Sequence, residues 1–334
     1  MKKLFALALT FALVAAIAAG CGKSAPAAKG TVKTGLAVVT SIANSADATA
    51  ADAGVAQGYS TIAAVTVDGS GKIVSCVIDA AQTNVNFGAD GAITTALDST
   101  FQTKNELGAA YGMKTASSID KEWNEQAAAF AAYVVGKTAE EVNGIAVDAG
   151  LAMDADLVAS VTIHVTDFIE VVSKAVANAS ELGASSGDKL RVGTVTSIAK
   201  STNATADAQG LAQVYNTYAA LTTNETGVIT SCVIDASQAN INFDTAGKIT
   251  TPLDTTFQTK DDLKDVYGMK AASGIGKEWY EQAAAFAAYA TGKTAAEVAG
   301  TAVDETGHVT GADLAASVTV SVGDFMAAIA KAAK

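Results

Sequence analysis

The chain has 334 residues, half of them hydrophobic, and a formal net charge of −12 from 34 acidic against 22 basic side chains. So acidic a surface repels phosphate backbones and excludes nucleic acid as a partner, and a single arginine, Arg191, rules out a guanidinium cluster for anion recognition. Three cysteines without a Cys-x-x-Cys pair exclude a zinc knuckle and a thioredoxin-type centre.

The chain opens with Lys2 and Lys3, an uncharged run from Leu4 to Ala16 too short to span a bilayer comfortably, and the small residues Ala18, Ala19 and Gly20 before Cys21. This segment resembles the lipobox of bacterial lipoproteins, with Ala18 where that pattern prefers Leu. The resemblance implies a signal peptide over residues 1–20, diacylation of Cys21, and a flexible stalk completing residues 21–32. Two acyl chains give an anchor that one cannot, so the expected location is the extracytoplasmic face of the cell membrane.

The rest is written twice. An offset of 156 aligns Leu36–Asp148 with Val192–Asp304 without a gap, and most aligned positions are identical. One residue is gained near Gly150, after which Asp167-Phe168 matches Asp324-Phe325. A period this long means duplicated domains rather than a solenoid. The expected boundaries are 33–177 and 190–334, with the polar segment 178–189 as linker.

Each unit reads as α+β, strands first and helices after. Ala37–Ala43, Val55–Val67 and Lys72–Asp79 predict strands, with Gly69 and Gly71 marking the turn between the second and third. Thr83–Phe87 alternates apolar and polar as a further strand, and a short one follows at Ile93. Thr103 with Glu106, and Thr138 with Glu141, are capping-box patterns. Between them the phrase KEWNEQAAAFAAYVVGKT, repeated as KEWYEQAAAFAAYATGKT, places Trp123, Ala127, Phe130, Ala131 and Val134 on one helical face, with Gly136 at its end and Glu122 and Glu125 turned outward. Ser160–Val165 alternates as a strand, and Asp167 is placed to cap a closing helix. Each unit is thus expected to pack an antiparallel sheet against several helices.

Duplication filters candidate chemistry. His164 aligns with Ser321 and His308 lies in the altered loop, so neither histidine offers a general base common to both copies. Cys76 and Cys232 recur, each within an apolar strand, and read as small buried hydrophobes. Asp148, Asp154 and Asp156 lack the glycine and terminal glutamate of a calcium loop. What recurs is polar and uncharged, with lysines and aromatics nearby. Gln82, Asn84, Asn86, Gln102, Lys104, Tyr111, Lys114 and Trp123 return as Gln238, Asn240, Asn242, Gln258, Lys260, Tyr267, Lys270 and Trp279. Converging amides, lysine and rings suit a flat polar ligand, against the competing reading that they serve turns, caps and core.

The elements YGMK, IGKEWYEQAAAFAAY and GKTAAEV behind a lipobox resemble surface lipoproteins of Clostridia-like Gram-positive bacteria. That resemblance implies a membrane-tethered surface protein; with no catalytic constellation common to both copies, the expected role is non-enzymatic, two like domains binding a surface partner or small ligand with avidity from the pairing. A second resemblance is to FMN-binding domains of extracellular electron-transfer lipoproteins. It rests on the anchor, the tandem units and the strand-turn-strand TVDGSGKIVSCVID from Thr66 to Asp79. The chain has no Ser/Thr-Gly-Ala-Ser/Thr flavin-attachment motif, so this resemblance implies non-covalent FMN and an electron-transfer role.

Overall fold

The computed structural model describes residues 30–334, so the expected signal peptide and lipobox with Cys21, and the expected stalk as far as residue 29, lie outside the described residues. The fold is mixed α+β, with 27% helix and 31% strand. No helix among the described residues is long and apolar enough to cross a membrane.

The first repeat opens with an antiparallel meander, β1 (Lys33–Ser41), β2 (Gly54–Val67) and β3 (Ile73–Phe87), in the order β1-β2-β3. The two strands expected at Lys72–Asp79 and Thr83–Phe87 are one continuous strand of 15 residues, because every position from Val77 to Phe87 pairs with β2 in unbroken register. Ile93 contributes only an isolated bridge to Phe87. Then come α1 (Lys104–Leu107), α2 (Trp123–Tyr133), α3 (Ala139–Asn143), a minimal hairpin of β4 (Val147–Asp148) and β5 (Leu151–Ala152), α4 (Ala155–Val158) and α5 (Thr166–Ala177).

Both expected capping boxes form: the Thr103 and Thr138 hydroxyls accept from Glu106 and Glu141 N–H, and those carboxylates accept in return. Gly136 takes φ 82° and donates its N–H to Ile73 O, a left-handed turn that sends the chain from α2 back to the sheet. Three local expectations are corrected. Ser160–Val165 forms no strand, because Thr162 N–H is claimed by the buried Gln126 side chain rather than by a neighbouring strand. Asp167 lies inside the first turn of α5, whose cap position is Val165 without a side-chain hydrogen bond. Glu122 does not turn outward; it is the buried N-cap of α2.

The second repeat repeats the plan with β6 (Lys189–Ser197), β7 (Gly210–Thr223), β8 (Ile229–Phe243), α6 (Lys260–Leu263), α7 (Trp279–Ala290), α8 (Ala295–Ala299), α9 (Ala312–Ala315) and α10 (Gly323–Ala332).

Each sheet buries both faces. On one, Ala37, Ala63, Val65, Ile78 and Ala80 pack with Trp123, Phe130, Phe168 and Val172 of the helices; Ala219, Leu221, Ile234, Trp279, Phe286 and Phe325 do the same in the second repeat. The other faces meet each other. Ile42, Val85 and Phe87 share one cluster with Ile198, Val214, Ile241 and Phe243, while Leu36, Val38 and Ile62 share a second with Tyr218 and Ala220. The result is four layers, helices–sheet–sheet–helices.

Contacts between the repeats are reciprocal, the signature of an approximate two-fold axis. Asp47 accepts from Ile249 N–H at 2.8 Å and its counterpart Asn203 accepts from Ile93 N–H at 2.9 Å. Ala48 N–H donates to Gly247 O, and Ala204 N–H to Gly91 O. Lys174 of α5 pairs with Asp262 of α6, and Lys331 of α10 pairs with Glu106 of α1. On the axis equivalent residues touch: the Phe87 and Phe243 rings stack at 4.3 Å, inclined by 10°, and Asn216 Nδ2 donates to Ser60 Oγ at 3.2 Å.

Candidate functional site: caged lysines and an amide strip

The repeated phrase KEWxEQ is a fastening device. The Glu122 carboxylate accepts from Met113 N–H at 2.9 Å and Lys114 N–H at 3.1 Å, so it pins the YGMK loop; Glu278 does the same for Met269 and Lys270. Glu125 closes a capping box on Glu122 N–H. Gln126, fully buried, donates to Ser117 Oγ and Lys121 O and accepts from Thr162 N–H, tying two loops to one side chain.

The pinned loop delivers Tyr111 to Lys104. The Lys104 ammonium lies 4.7, 4.5 and 5.0 Å from the ring centroids of Tyr59, Tyr111 and Trp123, and donates to Tyr59 Oη at 3.1 Å. Lys260 repeats this with Tyr215, Tyr267 and Trp279 at 4.7, 4.6 and 4.7 Å. Both lysines are buried, and burial lowers each ammonium from its usual range to about 8, opposed by the nearby Asp79 or Asp235 carboxylate. Cation–π contact with three rings favours the charged form in the same enclosure. Asp79 is itself raised to about 6 by burial, against hydrogen bonds from Thr103, Asn105 and Ala80.

Lys104, Tyr111, Trp123 and Gln82 are thus brought together, Gln82 through Tyr111 Oη at 3.4 Å, as are Lys260, Tyr267 and Trp279. Trp123 and Trp279 are core rings, set edge-on against Phe168 and Phe325. Gln102, Gln258, Lys114 and Lys270 are exposed outside the cage. Asn86 and Asn242 direct their backbone N–H groups to the Thr95 and Thr251 hydroxyls at the sheet edge. Tyr59 and Tyr215 escaped the sequence reading because they look like ordinary strand residues; their pairing in register with Gln82 and Gln238 is what places them.

Beyond the cage the helix-side face of each sheet ends in half-buried and exposed amides rather than in packed apolar residues. Register sets Tyr59 beside Gln82 and Gln57 beside Asn84, and Gln57 Nε2 donates to Asn84 Oδ1 at 3.0 Å while Asn44 Nδ2 donates to Gln57 Oε1. Gln213, Gln238 and Asn240 form the matching strip, with Gln213 Nε2 donating to Asn240 Oδ1 at 3.1 Å. Asn84 and Asn240 are exposed and each keeps donor capacity for a ligand.

The remaining candidates are structural. Cys76 and Cys232 are free thiols in separate helix-side cores, each pushed up to about 12 by burial and therefore not thiolates at neutral pH. Asp154 caps α4, and Asp304 accepts from Thr306 and His308 N–H within a turn. Among the described residues no group of three His, Cys, Asp or Glu side chains is arranged to hold a metal ion. In the cage Lys104 occupies one face of the Tyr111 and Trp123 rings, and the hairpin at Thr66–Asp79 places Ile78, with the partly buried Cys76 against it, in the helix-side core.

At position 105 the repeats differ in their hydrogen bonding. Asn105 Nδ2 donates to Ile78 O at 2.9 Å, but its counterpart is Asp261, whose Oδ1 is enclosed without a hydrogen-bond partner. Burial, then Asp235 and Asp262, hold the Asp261 carboxyl well above the usual carboxylate range. Its folded-state pKa is raised, so its stabilising protonated form is complete below about pH 4 and is lost as pH rises through the raised value. Asp261→Asn should therefore stabilise by about 1 kcal/mol near neutral pH, one buried hydrogen bond's worth, with the gain vanishing in acid. Melting temperatures measured from pH 4 to 8 check this; a gain independent of pH would contradict it.

Comparison with protein-family models, curated proteins and solved structures gives no match.

Proposed function

We propose that the protein is a lipid-anchored, extracytoplasmic binding protein of the cell envelope that takes a polyhydroxylated polymer, such as a glycan, on its two amide strips. The observation that carries this reading is the duplicated row of exposed and half-buried amides, Gln82 and Asn84 with Gln213, Gln238 and Asn240, backed by the buried Gln57 and beside half-buried tyrosines at the end of the helix-side face beyond the lysine cage. Side-chain amides donate and accept at once, which matches hydroxyl groups and leaves no buried charge to neutralise. The sheets meet through their opposite faces, so the strips look away from each other and suit bridging two strands of a repetitive target. The lipobox ending at Cys21 supports the tether.

Cosedimentation of the purified chain with insoluble envelope glycan tests it. Gln82→Ala with Asn84→Ala, or Gln238→Ala with Asn240→Ala, should each weaken binding roughly 10- to 30-fold, two hydrogen bonds' worth, and all four together should abolish it. Each pair removes hydrogen bonds at the rim of the sheet, such as those to Tyr111 and Gln57, and should cost about 1–2 kcal/mol of stability while leaving the chain folded. In cells, Cys21→Ser should release the protein from the membrane fraction. Undiminished glycan binding by the fourfold variant would overturn the strip as the site.

A further inference from the structure

A cavity of about 750 Å³ lies where the repeats are not equivalent, between the end of α5 with the segment after it and the β8 edge with α6 and α7. Its volume is that of a pocket for a small organic molecule. Leu36, Leu182 and Val233 with three alanines of α7 give it apolar walls, and the Tyr280 ring stands where the first repeat has Asn124.

Its polar end has more acceptors than donors. Asp235, 5% exposed, accepts from Ala236 and Asp261 N–H. Asp262 is met by Lys174 across the repeat boundary. Asp261 Oδ1, enclosed, has no partner, and in its ionised form, reached as pH rises through its raised value, it cannot give Ile234 O the bond that Ile78 O receives from the Asn105 amide. An acceptor buried without a donor costs about 1–3 kcal/mol unless something enters to donate. Of the cations nearby, Lys174 is engaged by Asp262, Lys260 near Asp235 is held in its aromatic cage, and Lys264 is an exposed residue of the lining.

We propose that this cavity binds an organic amine, its ammonium donating to Asp261 and Asp235 and its apolar body lying along Leu182, Tyr280 and α7. An ammonium supplies the missing donors and charge together, and the apolar walls select against a bare ion. This site is separate from the amide strips, and it joins Leu36 and the end of α5 in the first repeat to β8, α6 and α7 of the second.

Calorimetric titration of the full soluble chain with hexylamine tests the assignment, with hexanol and hexanoate as neutral and anionic controls. Hexylamine should bind one per chain, at least tenfold tighter than either control. Asp261→Asn, which installs the residue the first repeat already carries there, should lose at least tenfold in hexylamine affinity while remaining folded. Leu182→Trp should block binding by filling the cavity. Hexanol binding as tightly as hexylamine would overturn the charge assignment, and hexylamine affinity untouched by both variants would overturn the site. No binding by any probe would overturn the cavity as a ligand pocket.

Discussion

Replacing Phe243 with alanine should destabilise the whole protein by about 3–5 kcal/mol, the usual result of removing a buried phenyl ring. The ring is fully buried, stacks on Phe87, and sits with Ile42, Val85, Ile198 and Ile241 in a cluster both sheets build. It also lies over Gly210, where a β-carbon added to the backbone would come within 2.3 Å of it, so the chain there is shaped around the ring. A stacked pair adds about 0.5–1.5 kcal/mol beyond area burial, so Phe87→Ala and Phe243→Ala should be non-additive: the second change has less left to remove. Chemical denaturation of the two single variants and the double variant measures this. Additive losses would mean that the rings do not act as a pair.

Trp279→Ala should cost a similar amount, about 3–5 kcal/mol, by a different route. The indole is 4% exposed, meets Phe325 edge-on at 5.5 Å, and forms one wall of the cage around Lys260. Its loss leaves a cavity at the junction of α7, α10 and β8 and exposes the ammonium to one ring fewer. Trp279→Phe should recover most of the loss by keeping an aromatic face toward Lys260. If melting were unchanged while glycan binding disappeared, the indole would belong to a binding surface rather than to the core.

The parts legible in the sequence were those set by neighbours along the chain. The capping boxes at Thr103 and Thr138, the turn at Gly136 and the Trp123–Phe130 face each depend on residues within about two helical turns, and each is found in place. Glu122 was misread because helical periodicity puts it outside. Its burial depends on the YGMK loop folding back over it, which no local pattern records. Ser160–Val165 alternates like a strand, but the deciding partner is the Gln126 side chain, 36 residues away.

The meeting of the sheets had a faint signal. From Ser60 to Val67, β2 is buried at every position, so the strand is covered on both faces. Which surface supplies the second cover depends on the two-fold packing. The Gln82–Asn84 cluster was visible as a repeated pattern, whereas its division into a caged half and an open half depends on where Tyr59 falls in register. Nothing along the chain singles out the change from Asn105 to Asp261; only the Asn105 bond to the Ile78 carbonyl of the neighbouring strand reveals that an amide donor has been lost.

Duplication here produced a pseudo-symmetric frame whose second sheet face exists only because both copies are present. Separate folding of the repeats would expose Phe87, Ile62 and Tyr218 to water, an apolar area no isolated half has another element to cover. Scanning calorimetry of the soluble chain carrying Trp123→Ala is the sharpest test. One shared transition, moved to lower temperature as a whole and with calorimetric and van't Hoff enthalpies equal, is the predicted result. Two transitions, with only the first repeat's displaced, would contradict a common core.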